Sequence, residues 1–324
     1  MVGVKTSAPQ QSSHDLVTSA HVGNVFLHGR TSAGRERVSA LVRWFTDQVA
    51  GGATHGAPMI VATDQEGGLV QTLSGDGFSI IPSALEQGRI APAVLRVRAA
   101  RWGAELAAAG VTLDLAPVVD VPTADGAATN PPVGQLDRAY GFTSEDVEAH
   151  ADAVVDGLAA AGVASAPKHF PGLGRVAANT DTVSGVVDTV TDASSDQVTV
   201  FRHEVARGAR FVMVGTAVYD RLDPTAPAAF SAPVVQGLLR SQLGFRGVVI
   251  TDDLSAAAQV SAWSPGDRAV KAIDAGCDLV LASTDPTVVP AMVEALVRRA
   301  RSDPVFAAKV AAAARRVLAV KGMA

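Results

Sequence analysis

The chain has 324 residues, 48% of them apolar, and a formal net charge of −5 at neutral pH. Such a chain buries a full core, and its apolar content excludes a disordered protein. The acidic balance argues against nucleic acid as a partner, since that needs a basic face; no apolar run approaches the roughly 20 residues of a membrane span, and the single cysteine, Cys277, leaves no internal disulfide and no cysteine-built metal site.

The opening MVGVKTSAPQQSSHD lacks the basic-then-apolar layout of a secretory signal. It begins inside a strand-like run, so the protein reads as cytoplasmic as the chain stands, and as exported if a signal segment lies upstream. From there, short apolar runs rich in β-branched residues recur. They are MVGV at 1–4, NVFLHG at 24–29 and MIVATD at 59–64, then VTLDLAPVVDV at 111–121 after a helical period over 92–109. A second helical stretch, 144–161, puts Val147, Ala151, Val154, Val155 and Leu158 on one face, and Thr143 with Asp146 fits a capping box at its start. VASAPKH at 163–169 follows, then a helix over 189–208, FVMVGTA at 211–217, a helix over 232–243, GVVITDD at 247–253, CDLVLAS at 277–283 and a helix over 288–321.

The runs are continuously apolar rather than alternating, as strands covered on both faces are. Eight such strands with intervening helices predict an α/β chain, a (β/α)₈ TIM barrel in a single domain over 1–324; an open doubly wound sheet is the alternative. In a barrel the chemistry sits at the C-terminal strand ends. There the sequence places Asp64, Asp120, Lys168 with His169, Asp252 with Asp253, and Ser283 with Thr284, and the second run contributes His28 and Arg30. Bland roles exist for several. Asp252 or Asp253 could cap the next helix, Asp64 could brace the Gly67-Gly68 turn, and His169 could bond a backbone carbonyl. Lys168 is different, because a lysine closing a buried strand needs a charged partner nearby.

The segments VATDQEGGLVQ, VTLDLAPVVDV, APKHFPG and GFRGVVITDDLS resemble glycoside hydrolase family 3, in its single-domain β-N-acetylhexosaminidase branch. The order and spacing match from about residue 20 to residue 285. The resemblance implies a barrel that hydrolyses β-linked N-acetylglucosamine with retention and without a metal or cofactor. It implies Asp252 as nucleophile, Asp64, Lys168 and His169 as ligands of the sugar hydroxyls, and Arg138 in LDRAYG as a further sugar-holding residue. The chemistry agrees: a mixture of carboxylate acceptors and cationic donors suits a polyol, and no glycine-rich phosphate loop is present.

Two features depart from the family. The branch usually has a second histidine after KHFPG and an Asp-Ser-His at the end of the loop; this chain has Leu173 and Asn179-Thr180-Asp181. It also has Thr72 where the family often has an arginine. Asp181 then stands as the acid/base, carried by a loop expected to fold over the mouth with Arg175. The expected partner is a carbohydrate, a β-GlcNAc glycoside such as a muropeptide or chitin fragment. The alternatives are a sugar-binding or regulatory barrel that has lost protonation, and a β-glucosidase.

Overall fold

The computed structural model describes residues 1–8, 11–50 and 52–323. Each apolar run contains a strand: β1 Val2–Lys5, β2 Asn24–His28, β3 Ile60–Thr63, β4 Leu113–Asp114, β5 Ala164–Ser165, β6 Phe211–Val214, β7 Val248–Asp253 and β8 Leu279–Leu281. β1 to β5 pair in chain order in one parallel sheet; β6, β7 and β8 pair in another. Single parallel bridges join the two sheets on both sides, Phe170 to Val214 just beyond β5, and Val2 to Ala282 just beyond β8. At the second seam the Gly3 amide donates to the Ala282 carbonyl at 2.8 Å, and the Ala282 amide to the Met1 carbonyl at 3.0 Å.

The strands bury both faces, and the two faces feed separate cores. Phe26, Ala62, Leu113, Ala166, Met213, Ile250 and Leu281 belong to one apolar cluster. Their strand neighbours Val25, Leu27, Val61, Val212, Val214 and Val249 belong to a second, larger one shared with the helices. The two-residue alternation of a strand explains this split, and it leaves charged side chains a place only at the strand ends.

Besides one turn at Ala84–Gln87, the α-helices of the described residues are α1 Gln11–Ser19, α2 Gly34–Ala50, α3 Pro92–Ala108, α4 Ser144–Ala160, α5 Asp196–Ala206, α6 Pro265–Ala275, α7 Val289–Ser302 and α8 Pro304–Val320. Pro233–Gln242 is wound as a π-helix within the stretch expected to be helical. The Thr143 hydroxyl accepts from the Asp146 amide at 3.2 Å, but Asp146 answers by accepting from that hydroxyl at 2.9 Å. The stretch 288–321 is two helices, because Asp303 caps a new one and Pro304 opens it. The helix expected over 189–208 begins only at Asp196. Its leading residues instead follow a small sheet of Val187–Asp188, Val218–Tyr219 and Asp223–Pro227, and the buried Asp188 ties the Thr191 amide and hydroxyl.

Gly3 shows how tightly the β1–β8 seam is drawn. A Cβ at this position would lie 1.7 Å from the Ser283 carbonyl oxygen. Gly3→Ala must therefore push the strands apart, and it is expected to destabilise by about 1–3 kcal/mol or more, as overpacking does. Urea unfolding checks this; a wild-type midpoint would show that the seam is loose.

Candidate active site

A cavity of about 430 Å³ opens at the C-terminal strand ends, and Asp64, Arg138, Lys168, His169, Asp181 and Asp252 all line it. Six residues scattered between positions 64 and 252 of the sequence therefore meet in one space. Ser283 and Thr284 line it too. His28 and Arg30 are not among its lining residues, and neither is Arg175.

The floor is a buried ion network. Lys168 Nζ lies 2.7 Å from Asp64 and 2.5 Å from Glu66. Glu66 also takes both ends of the Arg138 guanidinium, Nε and Nη2, at 2.8 Å each. Burial alone would raise the Glu66 carboxyl, but the charges of Arg138 and Lys168 overcome it and hold the group at about 2. Lys168 is likewise stripped of water, yet Asp64 and Glu66 raise its pKa and keep it charged. Beneath them, burial pushes Asp114 up to about 7 despite the hydrogen bond from the Gln65 amide. Asp64 makes no brace for the glycine turn with its side chain; its carboxylate belongs to Lys168.

Asp120 organises the neighbouring sector. Its Oδ2 accepts from His169 Nδ1 at 2.8 Å, and its Oδ1 accepts from the amides of His169 at 3.2 Å and Leu173 at 2.7 Å. His169 thus has a carboxylate partner rather than a backbone carbonyl. With Nδ1–H donated to Asp120, Nε2 is left to accept, with Arg138 Nη2 at 3.4 Å. The Lys168–His169 peptide is cis.

The loop after β5 is tied down rather than hung as a free flap. Asn130 Nδ2 donates to the carbonyls of Leu173 and Val176, the Tyr219 hydroxyl to that of Gly172, and Gln197 Oε1 accepts from the Gly174 amide. Further on, the amides of Ala258 and Gln259 donate to the carbonyls of Asp181 and Thr180, so the loop rests on the segment that follows Asp252. Asp181 is exposed at the cavity mouth, where the protein packed around it weakens its hydration. That burial, and next the negative charge of Asp252, push its carboxyl up to about 6 against the pull of Arg138. Leu173 also faces the cavity, an apolar side chain where the family pattern has a histidine.

Several expectations are corrected here. Neither Asp252 nor Asp253 caps a helix: Ser264 caps α6. Asp253 instead gathers the β7 and β8 ends, accepting from the Ser255 hydroxyl and amide and the Ser283 amide. Thr72 is buried and absent from the cavity lining; its amide donates to the Asp64 carbonyl. Glu66 was missed, although the spacing Asp64-x-Glu66 in an extended segment sends both side chains to one face.

Two carboxyls facing one cavity, above a floor of buried charges, are the equipment of a glycoside hydrolase. The family model of the glycosyl hydrolase family 3 N terminal domain matches residues 1–320, and the chain belongs to that family. It is 33% identical to a β-hexosaminidase of Nitrosomonas eutropha over 285 residues, which cover 85% of this chain and 76% of that protein. Its fold matches the crystal structure of a β-N-acetylhexosaminidase from Beutenbergia cavernae with a TM-score of 0.98 and 55% identity, covering 99% of this chain and 96% of the other. A family 3 β-N-acetylglucosaminidase from Paenibacillus matches with a TM-score of 0.90 at 30% identity, over 100% of this chain and 60% of that one.

Glu66→Gln keeps the shape of the side chain and removes its charge. It leaves Arg138 and Lys168 buried side by side with one anion fewer, so stability is expected to fall by about 3–5 kcal/mol. A denaturant titration reads this, and a loss below about 0.5 kcal/mol would show that the cations do not depend on Glu66.

Proposed function

We propose that the protein is a retaining β-N-acetylhexosaminidase whose single domain, 1–324, is a closed (β/α)₈ barrel. The bridges at both seams and the division into inner and outer cores support closure. The β-hexosaminidase and β-N-acetylhexosaminidase relatives support β-linked N-acetylglucosamine as the sugar removed. Asp64, Lys168, Arg138 and His169 hold its hydroxyls: the carboxylate and His169 Nε2 accept, and the two cations donate.

The observation that carries the mechanism is the pairing of Asp252 with Asp181 across one cavity, with the Asp181 carboxyl pushed up by its surroundings. Asp252 attacks the anomeric carbon as the bond to the leaving oxygen breaks, and Asp181 gives that oxygen its proton. The sugar is then esterified to Asp252, whose charge is gone. That removes the repulsion holding the proton on Asp181, which ionises and serves as base. Water adds to the anomeric carbon, its proton passes to Asp181, and the ester bond breaks. A barrel that only bound sugar would have no use for a carboxyl tuned in this way.

The pH dependence follows in sign. Asp181 must be protonated in the free enzyme, and its pKa is raised to about 6, so kcat/KM falls as pH rises through that value. Asp181→Ala should abolish this basic limb. It should slow a natural disaccharide far more than an aryl β-GlcNAc glycoside with a good leaving group, and azide should restore part of the aryl rate. Equal losses on both substrates with no azide rescue would remove Asp181 from the role.

A further inference from the structure

A second cavity, of about 500 Å³, lies in the same mouth. It is lined by Thr6 and Ser7 beyond β1, by Arg30 through Ala33 beyond β2, and by Arg37, Val38 and Leu41 of α2. The two cavities divide the strand ends between them. The ends of β3 and β8 send Asp64, Ser283 and Thr284 into the catalytic cavity, and β1 and β2, which lie between those strands, furnish the second. The boundary is the hairpin at Gln65–Gln71: the Arg30 guanidinium donates to the Leu69 carbonyl, and the next residue, Val70, lines the catalytic cavity. A group leaving the anomeric centre of a bound sugar needs space at this rim.

The lining is built for an anion. None of its described residues is acidic, although the chain as a whole carries a net charge of −5. Among the described residues Arg37 has no hydrogen bond or ion pair to its guanidinium, and Arg30 spends one donor on Leu69 and meets no carboxylate. Other exposed arginines do meet carboxylates, Arg207 those of Asp152 and Asp156, and Arg299 that of Asp303. Among the described residues the hydroxyls of Ser7 and Ser32 have no hydrogen-bond partner, whereas Thr6 donates to the His28 carbonyl and Thr31 accepts from the Ala33 amide. Two planar guanidinium forks with free hydroxyls beside them match the oxygens of a carboxylate or phosphate.

We propose that this cavity is an anion subsite, in which Arg30 and Arg37 hold a carboxylate or phosphate carried by the aglycone of the substrate. The subsite rests on the glycosidase reading of the adjoining cavity. It narrows the substrate class to β-GlcNAc glycosides with an acidic aglycone, in preference to neutral chitin-like chains.

The test compares a β-GlcNAc glycoside whose aglycone bears a carboxylate with its methyl ester, which has the same leaving oxygen. In low salt the wild-type enzyme should favour the acid over the ester by about five- to tenfold in kcat/KM, and the Arg30→Gln/Arg37→Gln double variant should bring the ratio near one. Added sodium chloride should erode the preference in the wild type, because the arginines are exposed. Equal use of acid and ester by the wild type, or a preference that survives in the double variant, overturns the proposal. Inorganic phosphate titrated against both proteins is the second arm. Phosphate binding that the double variant loses, without any acid-over-ester preference, would assign the cavity to a free anion and overturn the aglycone claim. No turnover of either glycoside by the wild type would sink the glycosidase reading instead, and the phosphate arm would still decide whether Arg30 and Arg37 bind an anion.

Discussion

The site depends on one buried cation. Lys168 is 2% exposed at the end of an apolar run, and it is tolerated there only because Asp64 and Glu66 close on its ammonium. An ammonium taken out of water without such partners would lose its charge or unfold the strand end. The same requirement draws in Arg138, since Glu66 binds both cations at once. One desolvation problem therefore fixes residues from three separate stretches, the hairpin after β3, the loop after β4 and the end of β5. The result is a rigid set of donors and acceptors, which a polyol can use without reorganising it.

Desolvation, and next the charge of Asp252, then raise the Asp181 carboxyl above this floor. Asp181 comes from a loop anchored by Asn130, Gln197 and Tyr219, and it rests on the segment following Asp252. Placing a second anion near Asp252 in a walled cavity raises the cost of ionising it. Arg138 pulls the other way, which keeps the raised value within reach of neutral pH. An acid that must also act as a base needs such an intermediate position. In the mechanism proposed above, the carboxyl of Asp181 takes the part that the family pattern gives to histidine, and Leu173 stands at the position of the second histidine.

Much of this was legible in the sequence, for physical reasons that also explain the gaps. Strands covered on both faces must be apolar throughout, so all eight announced themselves, and polar residues at their ends stood out as a group. Helices on the outside carry only a stripe, so α1, α2 and α6 passed unnoticed; α2 runs GRERVSALVRWFTDQVA, with charges through much of its length. The break at Asp303-Pro304 was readable as a cap and a first-turn proline, but the periodicity on either side hid it. Glu66 escaped because its neighbours Gly67 and Gly68 drew the eye to a turn, whereas the two-residue period from Asp64 pointed to its role. The anchoring of the 173–186 loop was beyond the sequence, since its partners Asn130, Gln197 and Gln259 lie far away in the chain.

The central claim is that Asp252 forms a covalent bond to the sugar while Asp181 manages the proton. The direct measurement is mass spectrometry of the Asp181→Ala variant, quenched in acid during turnover of an aryl β-GlcNAc glycoside. Without its base, that variant should accumulate the intermediate. The account predicts a mass increase of one N-acetylhexosaminyl residue, mapping to the peptide that contains Asp252 and lost when Asp252 is also replaced by Asn. An adduct on Asp253 or elsewhere, or steady turnover with no adduct and inverted product stereochemistry, would contradict it.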